Sequence, residues 1–292
     1  MDILFINPGS SKEVYQGLST DYAGIGTPYW ALLLSQSCRS QGYKVGILDI
    51  LAEGISRKDA VERIKTLNPR LISVCVYGEN VNSGTTQMSG AVKLANLIKE
   101  SGIDIPISFV GSHVQALPYK VLNEEPNIDI IFTNEGVYSL WNILKLNDFT
   151  DIKQLETING IGFIKDGKPF LTKPEKIVPN DRMDLDLPGY AWDLLPYKET
   201  PFDLYRSPMW HGEYDHDKRT PYAALYTSLG CVFQCEFCMI NILNRDDNEE
   251  IGVAGNYNKM RFWSPEFIIK EFDKLIEMGV ETIRIADEMF LL

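Results

Sequence analysis

The sequence predicts an α/β protein, in which a doubly wound parallel sheet is followed by the beginning of a βα barrel. Two observations support this. Strand-like and helix-like segments alternate through the first ~145 residues, which is typical of parallel βαβ units. The same alternation resumes at Tyr222 after an irregular stretch. A length of 292 residues, with 45% apolar and 23% charged residues, fits about two soluble globular domains.

The first part, residues 1–148, predicts a sheet of the Rossmann or flavodoxin type. Glycine and proline residues punctuate the helix ends, as βαβ units require. Short apolar runs predict buried strands at Ile3–Asn7, Val45–Asp49, Leu71–Val76, Ile107–Val110 and Ile128–Phe132. Helical patterns lie between them at roughly Tyr29–Gln41, Ala60–Leu67, Met88–Glu100, Leu117–Asn123 and Val137–Leu146.

Residues 149–218 predict a connector rather than a further domain. Gly160–Ile164 and the segment after Asp166-Gly167 form a hairpin pattern, because Asp-Gly favours a two-residue turn. The rest is rich in Pro, Asp and Tyr, and we expect it to wrap over a neighbouring surface.

From residue 219 the sequence predicts the first βα units of a barrel. Tyr222–Tyr226 is a strand with cysteines following its carboxyl end, and Thr282–Ala286 is the next strand. Ser264-Pro265 predicts a capped helix start between them, and Gly279 the helix end. The apolar residues of this helix are expected on one face: Ile268, Phe272, Leu275 and Ile276.

Charge and cysteine content narrow the function classes. The net charge of −12 offers no electrostatic footprint for nucleic acid or an anionic membrane. No stretch reaches the ~20 apolar residues of a membrane helix, and the amino terminus lacks the pattern of a signal peptide. We therefore predict a cytoplasmic protein whose five cysteines are ligands or core residues rather than disulfides.

Three of the cysteines form the strongest motif in the chain. Cys231, Cys235 and Cys238 are spaced C-x-x-x-C-x-x-C on one loop after a strand, where three thiolates can face one point. A structural zinc site needs a fourth ligand, such as Cys38, Cys75 or His216. Three cysteines without a fourth suit a [4Fe–4S] cluster with one iron open to another ligand, whereas ferredoxin clusters use four cysteines.

The other cysteines and histidines have simpler interpretations. Cys38 and Cys75 lie inside apolar patterns and are expected in the core of the first domain. His113 and His211 are expected on the surface or in loops rather than as metal ligands.

The cysteine loop, with Phe237 directly before Cys238, resembles the defining motif of the radical S-adenosylmethionine (SAM) superfamily. Residues 224–230 resemble the first strand of that family's barrel, and the helix from Ser264 and the strand ending in Asp287-Glu288 resemble its next elements. Leu229 and Val232 stand where many relatives have Arg and Pro. These differences do not affect the cluster-binding cysteines, but they leave the subgroup of the superfamily undefined.

The resemblance implies a mechanism and a set of cofactors. Three thiolates bind three irons, SAM chelates the fourth, and one electron from the cluster cleaves SAM to methionine and a 5′-deoxyadenosyl radical. Phe237 packs beside the adenine, and Asp287 or Glu288 accepts from the SAM ammonium group. An electron donor such as flavodoxin or ferredoxin is implied. The alternative from another class is a non-catalytic iron–sulfur or zinc-binding module without SAM.

A parallel sheet ahead of such a barrel resembles the cobalamin (B12)-binding architecture of many of these enzymes. Ligands of open α/β sheets lie at the carboxyl ends of the strands. The candidate cobalamin contacts are therefore Tyr77, Gly78 and Glu79 after the third strand, Gly111 and Ser112 after the fourth, and Glu135 and Gly136 after the fifth.

The first domain lacks the Asp-x-His-x-x-Gly sequence that supplies an axial histidine in many cobalamin proteins. We therefore expect any bound B12 to have its own base detached and no protein histidine on cobalt. With cobalamin bound, methyl transfer to an unactivated carbon is expected; without it, rearrangement or cyclisation. The alternative role for this domain is to brace and cover the barrel.

The sequence also predicts that this chain is the amino-terminal fragment of a longer enzyme. A full βα barrel takes about 250 residues, whereas only 74 residues run from Arg219 to Leu292. Most of the strands that would contact the substrate are then absent, so the small-molecule or peptide substrate cannot be predicted.

Overall fold

A computed structural model describes most of the chain. The described residues are 1–10, 13–14, 16–18, 24–78, 80–197, 204–206, 220–233, 235–240 and 260–290. None of the helices in these ranges combines the length and apolar character needed to cross a bilayer. The predicted α/β fold is confirmed, and its parallel sheet carries helices on both faces.

The main sheet has seven strands in the order β2-β1-β3-β4-β5-β6-β7. The first five are parallel, and their order 2-1-3-4-5 is the flavodoxin-like arrangement. These strands are apolar and largely buried because helices cover both faces. The strands are β1 (Ile3–Asn7), β2 (Val45–Asp49), β3 (Leu71–Cys75), β4 (Ile107–Val110), β5 (Ile130–Phe132), β6 (Ile161–Lys165) and β7 (Lys168–Leu171).

The hairpin predicted within the connector belongs to this sheet instead. β6 pairs antiparallel with β5, and β7 pairs with β6. The turn itself is as predicted, with positive φ at Asp166 (50°) and Gly167 (74°). The sequence did not predict this placement, because a hairpin pattern shows how two strands pair but not which third strand they join.

The helices cover both faces of the sheet. α1 and α7 cover one face of the sheet, and their hydrophobic core continues into the second part of the chain. α3 and α4 cover the other face. The helices of the first part are α1 (Tyr29–Ser40), α2 (Ile50–Glu53), α3 (Arg57–Leu67), α4 (Thr85–Glu100), α5 (Ser112–Ala116), α6 (Pro118–Glu124), α7 (Val137–Ile143) and α8 (Ile152–Leu155). The connector adds α9 (Met183–Asp186), and short 3-10 turns lie at Val81–Ser83, Asn180–Arg182 and Trp192–Leu194.

The described residues of the second part, 220–233, 235–240 and 260–290, form two strand pairs and one helix. β8 (Tyr222–Leu225) pairs parallel with β11 (Thr282–Ile285), and α10 (Pro265–Glu277) lies between them in the sequence. The Ser264 hydroxyl accepts from Phe267 N at 3.3 Å, which confirms the predicted cap. Pattern reasoning did not find a second, antiparallel pair: β9 (Ser228–Gly230) with β10 (Met260–Phe262).

One prediction about α10 was wrong. Ile276 is 62% exposed, whereas Glu271 is buried on the inner side of the helix. The Glu271 carboxylate accepts from Trp192 Nε1 at 2.9 Å and pairs with Lys274 at 2.5 Å. A buried glutamate with partners supplied by the connector is invisible to a hydrophobicity pattern.

Three hydroxyl groups complete the free edge of β8. Thr27 Oγ1 accepts from Ala224 N at 3.0 Å and donates to Ala224 O. Tyr190 Oη accepts from Tyr226 N at 2.9 Å and donates to Tyr226 O at 2.8 Å. Tyr197 Oη donates to Tyr222 O at 2.9 Å. Side chains of the first part and the connector thus occupy the hydrogen-bonding positions of a neighbouring strand.

Asp49 lies buried at the carboxyl end of β2 and ties distant segments together. Its carboxylate accepts from Asn7 Nδ2 at 2.8 Å, Ala52 N at 3.1 Å and Tyr205 Oη at 3.0 Å. Burial raises the pKa of Asp49 to about 6, although the three hydrogen bonds oppose the shift.

This shift predicts a pH dependence of stability. The folded-state pKa of Asp49 lies above the ordinary value, so its contribution is fully present below about pH 4 and is lost as pH rises through about 6. The size of the shift corresponds to about 3 kcal/mol. We expect the free energy of unfolding of wild type, relative to Asp49→Asn, to fall by about this amount between pH 4 and 7. Urea titrations at each pH measure it, and parallel pH profiles for the two proteins would contradict the assignment.

Candidate functional site

An open cleft lies between the carboxyl ends of the main-sheet strands and the second part of the chain. Its empty space, including the part open to solvent, is about 460 Å³. The first part contributes loops after β3, β4 and β5, and the second part contributes β9 and the segments around it. The lining residues are Trp30, Tyr77, Gly78, Asn80, Val81, Gln115, Glu135, Tyr226, Leu229, Gly230, Ile240 and Glu288.

A stacked aromatic pair separates this cleft from a second hollow. Trp30 and Tyr77 have ring centroids 4.8 Å apart and planes within 16°. The second hollow, about 490 Å³, reaches from Asn7 at the end of β1 to Cys75 at the end of β3. This is the switch point of a 2-1-3-4-5 sheet, where ligands of flavodoxin-like folds bind.

Gln115 supplies a polar atom that the described protein leaves without a partner. Its Nε2 donates to Tyr77 Oη at 3.0 Å and to Asn134 O at 2.6 Å, so the orientation of the amide is determined. Its Oε1 is buried and has no donor among the described residues. A buried acceptor without a donor is costly, so the site favours a ligand with N–H groups. The corrin ring of cobalamin carries amide side chains, whose N–H groups are donors of the kind that Gln115 Oε1 lacks.

The glycines at the strand ends have a structural explanation of their own. A β-carbon on Gly78 would meet Ser83 Oγ at 2.0 Å, and one on Gly111 would meet Val76 O at 2.4 Å. Ser112 is buried, and its Oγ would lie 1.7 Å from a β-carbon on Gly84. Ser83 in the 3-10 turn therefore requires Gly78, the backbone of Val76 requires Gly111, and Ser112 requires Gly84, whether or not a ligand binds.

Glu135, a candidate cobalamin contact, is used within the protein. Its carboxylate forms a buried two-pronged pair with Arg261 of β10, at 2.7 Å and 3.2 Å, and also accepts from Val178 N at 2.6 Å. Gly136 beside it adopts φ 83°, and its N donates to Asn134 Oδ1 at 3.0 Å. Both Glu135 carboxylate oxygens thus already accept hydrogen bonds within the protein, although the residue lines the cleft.

The two acidic candidates after β11 differ in their surroundings. Asp287 accepts from Thr227 N and Thr227 Oγ1, both at 2.6 Å, and from Ser228 Oγ at 2.7 Å. Glu288 lines the cleft, and burial followed by the neighbouring Asp287 charge raises its pKa to about 7. Asp287 therefore holds the loop after β8, while Glu288 is the carboxyl group available to a ligand.

The three motif cysteines lie on an accessible loop directly after β9. Cys235 is exposed, and Cys231 and Cys238 are half-buried. Gly230 before them has φ 100°. Phe237, the candidate adenine contact, is 82% exposed. Accessible thiols after a strand are suitable ligands, although no three His, Cys, Asp or Glu side chains in the described ranges are already grouped around a metal position.

Cys38 and Cys75 behave differently. Both are buried, and burial raises the pKa of each thiol far above its ordinary range. They therefore remain neutral core residues, as predicted. His113 is half-buried, and its Nδ1 hydrogen-bonds with Thr85 Oγ1 at 2.9 Å. Glu79, His211 and His216 lie outside the described residues.

Comparison with known proteins identifies the class. Residues 15–143, under half of the chain, match the family model of the B12 binding domain. The resemblance predicted from the sequence is confirmed: the chain matches the B12 binding domain, is similar to a methyltransferase and a cyclase, and shares its fold with a cobalamin-dependent SAM radical enzyme.

Three known proteins illustrate the similarity. The chain is 24% identical over its whole length to an uncharacterized methyltransferase of Pyrococcus horikoshii, of which it covers 54%. It is 27% identical over 82% of its length to the anaerobic magnesium-protoporphyrin IX monomethyl ester cyclase of Rubrivivax gelatinosus, of which it covers 38%. The cobalamin-dependent SAM radical enzyme OxsB shares the fold with a TM-score of 0.64 at 17% identity, over 100% of this chain and 34% of that one. The chain thus spans about half or less of these proteins.

Sequence reasoning missed several residues that shape the cleft. Trp30, Gln115 and Tyr226 line it, and Arg261 fixes Glu135. Tyr226 is the last residue of the predicted strand Tyr222–Tyr226 and directly follows the observed β8, so its position at a strand end was a usable signal. The other three lie within regular helical or strand segments, where nothing local marks them.

Proposed function

We propose that the chain provides the B12-binding part and the cluster-binding loop of a cobalamin-dependent radical SAM enzyme. One observation carries this proposal: a single cleft is lined from one side by the sheet ends expected to hold cobalamin and from the other by Gly230, which precedes the cysteine loop. The similarity to radical SAM enzymes with a B12-binding domain supports it.

Each group in the cleft then has a role. Cys231, Cys235 and Cys238 ligate a [4Fe–4S] cluster, Glu288 accepts from the SAM amino group, and Phe237 covers the adenine. Gln115 Oε1 accepts from a corrin amide. When bound, the cluster supplies the electron for SAM cleavage, and cobalamin supplies a methyl carrier. The protein's own contribution is to orient these groups across the cleft and limit access of water.

Methyl transfer to an unactivated carbon is the proposed outcome, in keeping with the methyltransferase among the relatives. Ring formation is the second candidate, because another relative is a cyclase. The activity requires a low-potential electron donor such as flavodoxin or ferredoxin and a reducing compartment such as the cytoplasm.

The test is anaerobic reconstitution with iron and sulfide, followed by measurement of 5′-deoxyadenosine formed from SAM under reduction. Hydroxocobalamin retention in equilibrium dialysis tests the B12 part separately. Cob(II)alamin bound without coupling to a histidine nitrogen in the electron spin resonance spectrum is the expected state. Folded, iron-loaded protein with a complete βα barrel that forms no 5′-deoxyadenosine would contradict the proposed activity.

Glu288 gives a pH-dependent prediction for SAM binding. With a pKa near 7, this carboxyl is neutral below that pH and ionised above it. The ionised form is the better acceptor for an amino group. We expect SAM affinity to rise up to about tenfold per pH unit between pH 6 and 7, and this rise to vanish in Glu288→Gln.

Asp287→Asn is the matched control, because it alters the neighbouring carboxylate. Both Asp287 oxygens already bind Thr227 and Ser228. This variant should lose stability, and its SAM affinity should still rise with pH, but the rise should begin at lower pH because the Asp287 charge no longer raises the pKa of Glu288. Anaerobic calorimetry measures the affinities, and an unchanged pH profile in Glu288→Gln would rule out the assigned role.

A further inference from the structure

The cysteine loop is held at both ends by the first part of the chain. At its entry, Leu229 of β9 lies opposite Arg261 of β10, and Arg261 binds Glu135 at the end of β5. At its exit, Met239 N donates to Asn82 Oδ1 at 2.9 Å, and Asn82 lies in the turn after β3. Two loops from the B12-binding-like sheet thus flank the cysteines.

The entry contact is a closed and fully buried arrangement. Glu135 is 2% and Arg261 is 4% exposed. Arg261 Nη1 donates both to Glu135 Oε1 at 3.2 Å and to Val178 O at 2.8 Å, and Val178 N donates to the same carboxylate at 2.6 Å. Each of the two charged groups therefore makes more than one hydrogen bond.

Stability alone does not account for such a pair. A buried ion pair is often no more stabilising than apolar residues of the same volume. Its advantage is directional, because a guanidinium and a carboxylate joined by two hydrogen bonds allow one relative orientation. In this protein that orientation fixes β10, and with it β9 and the start of the cysteine loop, relative to the end of β5.

We infer that Glu135 is a positioning residue for the cysteine loop, acting through Arg261, and that Asn82 holds the other end of the loop. The sheet that forms the B12-binding half of the cleft therefore also sets where Cys231 and Cys238 lie. This inference rests on the proposed function for the role of the loop. The reactivity of the cysteine thiols, however, tests the inference whether or not the proposed function is correct.

The experiment compares variants of the full chain. Glu135→Gln breaks the charge pair, Arg261→Lys keeps the charge without the two-pronged geometry, and Asn82→Ala removes an exposed contact with little risk to folding. Glu271→Gln is the matched control: Glu271 is equally buried and paired, but its hydrogen bonds among the described residues go to Tyr190, Trp192 and Lys274 rather than to β9 or β10.

The first readout is the alkylation rate of each cysteine by iodoacetamide in the iron-free protein, followed by mass spectrometry. Glu135→Gln and Arg261→Lys should speed modification of Cys231 at least about threefold, by local opening of its end of the loop. Asn82→Ala should act on Cys238 instead. Cys235, already exposed, should change little, and Glu271→Gln should leave all three rates near wild type at matched folded fraction.

The second readout is the electron spin resonance spectrum of the reduced, reconstituted cluster with and without SAM. Entry-end variants should broaden the spectrum or weaken its response to SAM, with Arg261→Lys milder than Glu135→Gln. Equal effects of Glu135→Gln and Glu271→Gln on thiol rates would overturn the inference. Wild-type protein that takes up no iron would overturn the proposed function, while the thiol rates would still decide whether Glu135 positions the loop.

Discussion

Replacing Cys231, Cys235 and Cys238 together by alanine should remove all iron that anaerobic reconstitution loads onto the wild-type protein, and with it all SAM cleavage. The three cysteines are accessible thiols on one loop after β9. A cluster held by three protein thiolates has no protein ligand left when all three are lost. Iron and sulfide analysis, the visible absorption of the brown protein and 5′-deoxyadenosine formation measure the effect.

Cys38→Ala and Cys75→Ala provide the matched controls, since both residues are the same type but buried in the core. They should keep full iron loading and lose only the modest stability that a small cavity costs, about 1 kcal/mol. Stoichiometric zinc in the wild type, with no iron uptake, would instead support a structural zinc site. Residual iron in the triple variant would mean that the cluster has other ligands.

The fold of the first part was predictable because its signals are local. β1 and β2 match the predicted ranges residue for residue, and the helix after β1 begins at Tyr29 as predicted. A strand covered on both faces by helices must be continuously apolar, so its sequence reveals it. The exceptions were pairings that depend on distant partners, such as β6 with β5 and β10 with β9.

The candidate site likewise combines residues that local sequence patterns reveal with contacts that depend on distant residues. The cysteine motif and the acidic residues after β11 are contiguous patterns, and sequence reasoning found them. The partition of roles between Asp287 and Glu288 was not predictable, because it depends on Thr227 and Ser228, which lie about 60 residues away. The pairing of Glu135 with Arg261 was not predictable either, because Arg261 lies 126 residues away and no local signal marks it.

Replacing the hydroxyl groups along β8 should strongly destabilise the second part of the chain. Tyr190→Phe leaves Tyr226 N and O without their buried partner, and Thr27→Val does the same to Ala224. An unpaired buried backbone group costs about 1–3 kcal/mol, so each variant should lose about 2–5 kcal/mol. The apolar volume is nearly conserved in both substitutions, which isolates the hydrogen bonds from packing.

These losses should be localised, because the three hydroxyls replace a neighbouring strand along an otherwise open edge. Amide hydrogen exchange should accelerate first at Ala224 and Tyr226, while β1 and β3 in the main sheet keep their protection. Tyr119→Phe is the control, since Tyr119 is 52% exposed, and we expect it to lie within about 0.5 kcal/mol of wild type. The double variant should lose less than the sum of the two, since both residues stabilise one strand. If Tyr190→Phe and Thr27→Val both unfold like wild type, water hydrogen-bonds the backbone groups of Ala224 and Tyr226. In that case neither the first part nor the connector holds β8 by these bonds.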